Sequence, residues 1–245
     1  MILVEELRKA FGTTHAVDGV SFSARDGQIT ALLGANGAGK TTTLRMLYTL
    51  MRPDAGRILV DGIDARQDPL AVRRALGVLA DARGLYRRLT ARENIEYYAA
   101  LQGLSRERAR ARIDGLLQTL TMQEIAGRRT EGFSQGERLK TALARCLVHD
   151  PRNVLLDEPT NGLDVMSTRS LREFLRRLRG EGRCVLFSTH IMQEVAALCD
   201  HVVIIARGRV VAQGSPDALR ELAGEASLEE AFMKLIGAQG LEALS

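Results

Sequence analysis

The sequence predicts an α/β fold built on a mostly parallel sheet, and two observations support this prediction. Short apolar runs typical of buried strands alternate with longer helical patterns between residues 154 and 206. A glycine-rich loop also separates the apolar run at 29–33 from a helical run at 42–50 that contains neither glycine nor proline. In such a fold the carboxyl ends of the strands lie at one edge and gather the functional loops.

The glycine-rich loop at 34–41 reads Gly-Ala-Asn-Gly-Ala-Gly-Lys-Thr and fits the P-loop pattern G-x-x-x-x-G-K-[ST]. Its glycines remove the bulk that would keep backbone N–H groups away from phosphate oxygens. The helix start favours an anion, Lys40 adds a full positive charge, and Thr41 offers a hydroxyl to Mg²⁺. The alternative is a flexible glycine turn. The pattern therefore predicts a P-loop NTPase core whose nucleotide contacts are Gly34, Ala35, Asn36, Gly37, Ala38, Gly39, Lys40, Thr41 and Thr42.

Length and composition limit the other possibilities. A chain of 245 residues with 45% hydrophobic and 26% charged residues is typical of a globular protein with one substantial core and a subdomain. The net charge of +4 suits a surface near a nucleotide or anionic lipid and is too small to predict nucleic-acid binding. No signal peptide is apparent, and no apolar run approaches the ~20 residues of a membrane span, so a membrane role would require a partner.

Three cysteines are present, at positions 146, 184 and 199. Their number is odd, they lack C-x-x-C spacing, and apolar residues surround them, so they are predicted to be reduced core thiols in a cytoplasmic protein. No zinc site is predicted.

The first 33 residues alternate β-rich runs with turns, which predicts a small N-terminal antiparallel β layer leading into the core. Further short strands are predicted at 57–61 and 76–80. Phe11 lies in the β layer, where it could stack on a purine or simply belong to the core.

From residue 82 to 150 the sequence lacks a convincing strand, which predicts an inserted helical subdomain. Thr90 and Ser134 are each followed three residues later by glutamate, the spacing of a capping box at a helix start. Capping alone could explain both groups. Four arginines fall largely off the apolar stripe of one helix, where a solvated face is preferred to a lipid or partner contact: Arg106, Arg108, Arg110 and Arg112.

Polar residues follow several predicted strands directly. Asp157 and Glu158 end the apolar run at 154–156, His190 follows the strand at 184–188, and Asp81 follows the strand at 76–80. In isolation, a structural carboxylate pair and a hydrogen-bonded core histidine would explain these residues. A strand at 202–206 and two helical patterns, at 216–222 and 228–236, complete the chain.

Taken together, the motifs resemble ATP-binding cassette ATPase subunits over nearly the whole chain. The motifs are the P-loop, Phe133-Ser134-Gln135-Gly136-Glu137, the run 154–158, the loop 161–164 and His190. The resemblance implies that Phe11 stacks on adenine and that Thr41, Asp157 and Asp81 are partners of Mg²⁺. It also implies that Glu158 polarises the attacking water, and that His190 holds Glu158 and the γ-phosphate in register.

The same resemblance implies that ATP is held between two subunits. Ser134 and Gly136 of one copy would approach the γ-phosphate bound by Lys40 of the other, and Asp164 would lie at this interface. Since a triphosphate can bridge two surfaces that a diphosphate cannot, hydrolysis would release the closed state.

Three positions depart from the family pattern. Most members carry glutamine where Asp81 stands, and glycine and glutamine where Gln135 and Glu137 stand. An aspartate at position 81 can still ligate Mg²⁺ or orient water, but it is shorter and charged.

The stretches 81–86 and 89–95 resemble the sodium-export branch, and 227–232 resembles the end of exporter ATPases whose permease is a separate chain. We therefore expect one ATPase domain over 1–245, with a core at 1–81 and 151–214, a helical subdomain at 82–150 and a tail at 215–245. It would pair with a second ATPase subunit, preferably in a homodimer, at the cytoplasmic face of the cell membrane, and bind a permease near Gly84, Leu85 and Tyr86. The alternatives are a soluble cassette protein acting on ribosomes or nucleic acid, and a regulator that binds ATP without turnover.

Overall fold

The computed structural model describes residues 1–80 and 84–242, with side chains up to residue 237. The strands are β1 Ile2–Phe11, β2 Thr14–Ala24, β3 Ile29–Leu33, β4 Ala55–Val60, β5 Ile63–Asp64, β6 Leu76–Leu79, β7 Asn153–Asp157, β8 Cys184–Thr189, β9 His201–Ala206 and β10 Arg209–Gly214. The helices are α1 Lys40–Leu47, α2 Pro69–Ala75, α3 Ala91–Leu101, α4 Arg106–Thr119, α5 Gln135–Leu147, α6 Val165–Gly180, α7 Met192–Leu198, α8 Pro216–Ala223 and α9 Leu228–Glu242.

The strands form two sheets. Antiparallel β2-β1-β4-β5 is the N-terminal layer, and the second sheet has the order β10-β9-β3-β8-β7-β6. In the second sheet the pairs from β9 to β6 are parallel, and β10 joins its edge as an antiparallel strand. The predicted α/β class, with an antiparallel N-terminal layer and a mostly parallel sheet, is therefore confirmed.

Burial explains why the central strands are continuous apolar runs. Every residue of β3, β7 and β8 is buried, because both faces of the parallel sheet are covered. One face packs with the antiparallel layer and α1, where Leu32, Leu44 and Ile58 share a core. The other face packs with α5 and α6 through residues such as Leu143, Leu175 and Phe187. This arrangement holds the carboxyl ends of the strands in place.

The helices α3, α4 and α5 lie between β6 and β7 in the chain. Both predicted capping boxes are present, with Thr90 and Glu93 at α3 and with Ser134 and Glu137 at α5. Among the arginines of α4, those at 106, 108 and 110 are exposed, as expected for a solvated face. Arg112 differs, because it is half-buried and donates to the Leu147 carbonyl at 3.1 Å, where α5 ends.

Among the helices and strands of the described residues, four were not predicted: α2, α7, β5 and β10. The helix α2 carries the usual start signals, since Asp68 caps it and Pro69 occupies its first turn. The strand β10 follows a tight turn in which Arg207 and Gly208 both have positive φ, the geometry of a two-residue hairpin. Gly208 N–H donates to the Ala38 carbonyl at 3.0 Å, and its carbonyl accepts from Asp18 N–H at 2.7 Å.

The three cysteines are free thiols, as predicted, with Cys146 and Cys184 buried and Cys199 partly buried. Burial raises the pKa of both Cys146 and Cys184 to about 12, so these thiols stay protonated and unreactive at neutral pH. Across the described residues, no helix is both long and apolar enough to span a bilayer.

Candidate nucleotide site

The P-loop connects β3 to α1, as the sequence predicted. A methyl group on Gly34 would lie 2.3 Å from the Ile205 carbonyl oxygen, and one on Gly39 would lie 2.4 Å from the Ala16 carbonyl oxygen. Gly39 also has a φ of +106°, which disfavours a side chain. The loop therefore needs glycine at these positions to pack closely against neighbouring backbone.

Lys40 is the cation of the loop, and its side chain is 5% exposed. The ammonium donates to the Gly34 carbonyl at 2.7 Å and to the Ala35 carbonyl at 3.2 Å, and it lies 3.3 Å from Glu158 Oε1. The charged oxygens of a phosphate can replace these two neutral carbonyl acceptors of the Lys40 ammonium. The loop and its lysine therefore fit a nucleotide phosphate.

Asp157 ends β7 and is buried against two hydroxyls. Thr41 Oγ1 donates to Asp157 Oδ1 at 3.2 Å, and Ser188 Oγ donates to the same oxygen at 2.5 Å. Within the described ranges, no group of three or more histidine, cysteine or acidic residues is placed to hold a metal. One carboxylate and one hydroxyl suit Mg²⁺, which keeps several waters and shares phosphate oxygens. Asp81 lies outside the described residues.

Glu158 and His190 are brought together as the resemblance implied. Glu158 Oε2 lies 3.0 Å from His190 Nδ1, while its other oxygen faces Lys40. Glu158 has a φ of +45°, an uncommon conformation for glutamate, and its N–H donates to Ser188 Oγ at 2.9 Å. Strained backbone of this kind is typical of functional sites. Glu158 therefore bridges the P-loop lysine and the histidine at the strand edge.

Ser134, Gly136 and Asp164 form a second group where α5 and α6 begin. Ser134 caps α5, and Asp164 caps α6 by accepting from Ser167 N–H at 2.8 Å. A methyl group on Gly136 would lie 2.7 Å from Ser167 Oγ, so the two helix starts touch. In the part of the chain that the structure describes, no hydrogen bond or ion pair joins this group to Lys40 or Glu158.

Phe11 is the last residue of β1 and is 49% exposed. Lys9 Nζ lies 5.7 Å from its ring centroid. An exposed ring does not fit the alternative that Phe11 belongs to the core. Stacking of Phe11 on adenine stays a prediction.

Sequence reasoning missed Glu194, which is buried in α7 and only 3% exposed. Its Oε2 accepts from Thr160 Oγ1 at 2.9 Å and from Thr189 Oγ1 at 3.4 Å. Thr160 follows Glu158 in the loop after β7, and Thr189 precedes His190 at the end of β8. Glu194 therefore joins the two loops that carry these residues. A glutamate in a helix gives no sequence signal of its burial, which depends on how α7 packs.

Burial raises the pKa of the Glu194 carboxyl, so the fold favours its protonated form. Stability from this group is therefore complete below its unfolded pKa and is lost as pH rises through the higher folded pKa. Glu194→Gln mimics the neutral form. We expect the melting temperature of the wild type to fall relative to this variant as pH rises from about 4.5 to 8, because only the wild-type carboxyl has to ionise in a buried position.

Thermal unfolding across this pH range measures the difference, and Glu221→Gln on α8 is an exposed control that should show no such trend. A difference in melting temperature between Glu194→Gln and the wild type that stays constant over this pH range would contradict the expectation.

The fold and the site define a class of protein: an α/β P-loop ATPase with a glutamate and a histidine beside its phosphate loop. Residues 17–161 match the sequence profile of the family described as "ABC transporter". The chain belongs to this family as an ATP-binding subunit, and it is an ATPase.

Two relatives illustrate the match. The chain is 45% identical to the ABC transporter ATP-binding protein NatA of Bacillus subtilis (strain 168) over 219 residues, which cover 89% of each chain. It is 39% identical to the Nod factor export ATP-binding protein I of Ralstonia nicotianae, over 89% of this chain and 68% of the relative.

Solved structures agree. The fold matches a structure described as the ATP binding subunit of an ABC transporter, with a TM-score of 0.88 and 30% identity over 96% of this chain and 99% of that one. A dimeric bacterial ABC transporter cassette matches with a TM-score of 0.80 and 25% identity over 88% of this chain and 98% of that one.

Proposed function

We propose that this chain hydrolyses ATP as one subunit of a dimer and drives a separate permease that exports sodium or another small solute. The observation that carries the proposal is the position of Glu158, whose two oxygens face Lys40 at 3.3 Å and His190 at 3.0 Å. A carboxylate held between a phosphate-binding lysine and a histidine is placed to act on water next to the last phosphate.

In the proposed reaction, Lys40 binds the outer phosphates and stabilises the charge that builds up as the terminal bond breaks. Glu158 accepts a proton from the attacking water, and His190 orients Glu158 through Nδ1. Thr41 and Asp157 would hold Mg²⁺, which neutralises phosphate charge when bound. The fixed side chains supply positioning and charge, which account for most of the catalysis in phosphoryl transfer.

The proposed dimer would complete the site. Ser134, Gly136 and Asp164 form a group of their own, which in this proposal faces the γ-phosphate held by Lys40 of the second copy. The dimeric cassette among the structural neighbours supports this arrangement. ATP would stabilise the closed pair, and cleavage would release it.

The relatives support a role in export, and we propose that the chain acts at the cytoplasmic face of the membrane. One is a transporter ATP-binding protein, and the other is named for the export of Nod factor. Sodium as the solute is proposed from the resemblance of the sequence stretches 81–86 and 89–95 to the sodium-export branch. The alternative of a soluble cassette acting on ribosomes or nucleic acid gains no support from these relatives.

An aromatic surface is proposed as the permease site. Tyr86 is 48% exposed and meets Tyr97 edge to face, with ring centroids 5.1 Å apart. Leu101 extends this exposed surface along α3. Tyr86 N–H donates to Asn94 Oδ1 at 2.9 Å, so its backbone is held while the ring faces outward.

A cavity of ≈ 550 Å³ adjoins this aromatic surface, lined by Gly84, Leu85, Arg87, Thr130, Gln135, Arg138 and Asn161.

Tyr86→Glu tests the permease site. We expect solute export by the reconstituted complex to fall at least ~10-fold, since a charge would replace an apolar contact at the centre of an interface, worth ~1.4 kcal/mol or more. The ATPase rate of the purified chain should change less than about twofold because, among the described residues, no hydrogen bond or ring contact joins Tyr86 to Lys40 or Glu158.

Leu222→Glu, on α8, is a matched control for adding charge to an exposed apolar position. Full export by the Tyr86→Glu complex would rule out this docking surface.

A further inference from the structure

A negatively charged side chain of the helical subdomain, Glu137, lies at the start of α5. Glu137 occupies the third position of α5, and both of its oxygens are engaged. Oε2 accepts from Ser134 N–H at 2.8 Å, and Oε1 accepts from Arg128 Nη1 at 3.0 Å. The Ser134 N–H, together with Arg128, holds the pKa of Glu137 below its usual value, so the carboxylate is ionised at neutral pH.

An ionised carboxylate at this place opposes the binding of a phosphate. The start of a helix attracts anions through its free N–H groups and its dipole. Glu137 consumes one of those N–H groups and adds a full negative charge within the first turn. A second anion brought to Ser134 would be repelled by that charge across a short distance.

Arg128 is placed to cancel this charge, and three contacts hold it there. Its guanidinium lies 5.4 Å from the centroid of the buried Phe133 ring and donates to Glu137. Its backbone carbonyl accepts from Ala91 N–H at 3.1 Å, at the first residue of α3. Arg128 therefore joins the starts of α3 and α5 and lies on the exposed side of Glu137.

We propose that Arg128 is a positioning residue of the ATPase: it neutralises Glu137 so that the turn Ser134–Gly136 can receive the γ-phosphate of ATP held by a second copy. This inference rests on the proposed dimer. Because the proposal concerns a pair of charges, the kinetic effect of substituting Arg128 should depend on whether Glu137 is present.

A double-mutant cycle of Arg128→Gln and Glu137→Gln tests the proposal in the full-length chain. Glutamine at 137 can still close a capping box, so that substitution removes charge and keeps the turn. We expect Arg128→Gln to lower kcat/KM for ATP about 10-fold or more, chiefly through KM. We expect Glu137→Gln to lower KM, and the double variant to lie within about twofold of Glu137→Gln.

Three further measurements separate charge from structure. The defect of Arg128→Gln should shrink as salt is raised from about 50 mM to 500 mM, because screening weakens the uncompensated repulsion. Its melting temperature should stay close to that of the wild type, since exposed ion pairs contribute little to stability. Arg129→Gln, at the neighbouring exposed arginine, is the matched control and should leave kcat/KM within about twofold.

The proposal is overturned if Arg128→Gln has wild-type kinetics, or if the double variant is as impaired as Arg128→Gln. Ser134→Ala distinguishes that failure from a failure of the dimer. If Ser134→Ala lowers ATPase activity steeply while Arg128→Gln does not, the dimer stands and this inference falls. If Ser134→Ala, with its fold confirmed, hydrolyses ATP at the normal rate, the proposed dimer site is itself wrong.

Discussion

Glu158→Gln is expected to lower ATP hydrolysis by roughly 10²–10⁴-fold, the usual contribution of a general base. The amide cannot accept a proton from water, although its shape is nearly that of the carboxylate. Lys40 loses a negatively charged neighbour at 3.3 Å, so the protein without nucleotide should also be less stable, and ATP should restore the lost stability.

Because this variant binds ATP and does not cleave it, the closed dimer should accumulate. Size-exclusion chromatography with ATP and Mg²⁺ would show a dimer for Glu158→Gln and a mostly monomeric wild type after turnover. Glu173→Gln, an exposed glutamate of α6, is a control for the loss of a carboxylate. Normal ATP turnover by Glu158→Gln would show that Glu158 is not the general base.

Lys40→Ala is expected to weaken ATP binding roughly 10- to 150-fold, because a charge-assisted hydrogen bond contributes about 1.5–3 kcal/mol. Hydrolysis should fall further, since the ammonium also stabilises charge in the transition state. Isothermal titration calorimetry with ATP measures the first effect, and phosphate release measures the second.

Lys234→Ala is the matched control, because Lys234 is an exposed lysine that pairs with Glu225 in the tail. Unchanged ATP affinity in Lys40→Ala would mean that the loop does not bind the phosphates. If the unaltered, folded chain also gave no heat with ATP, the assignment of this loop as a nucleotide site would be wrong.

Much of the fold could be predicted because local patterns and burial agree in this chain. The buried strands β3, β7 and β8 are continuous apolar runs, and the glycines before Lys40 mark a turn of known spacing. The capping boxes at Thr90 and Ser134 depend on residues three positions apart, so a sequence shows them directly.

The missed features depend on contacts between distant segments. The strand β10 is half-buried and alternates weakly, and it exists because it pairs with β9. Glu194 is a polar residue of the short helix α7. Its role depends on how α7 packs against two loops, because hydroxyls from both loops donate to its carboxylate. Arg112 was expected in solvent because the helical period shows only which face of α4 a residue lies on. It does not show that the end of α5 lies close enough for Arg112 to donate to the Leu147 carbonyl. The pairing of Arg128 with Glu137 likewise brings together a loop residue and a helix residue.

The tight turn before β10 connects the phosphate loop to the antiparallel layer. Gly208 binds Ala38 of the phosphate loop with its N–H and Asp18 of the antiparallel layer with its carbonyl. Arg209 adds a salt bridge to Asp18 at 2.6 Å. These contacts connect the layer that carries Phe11 to the loop that carries Lys40, the two elements proposed to contact the two ends of the nucleotide. Both amides donate hydrogen bonds, so deuterium uptake at Asp18 and Gly208 should be slow with or without ATP.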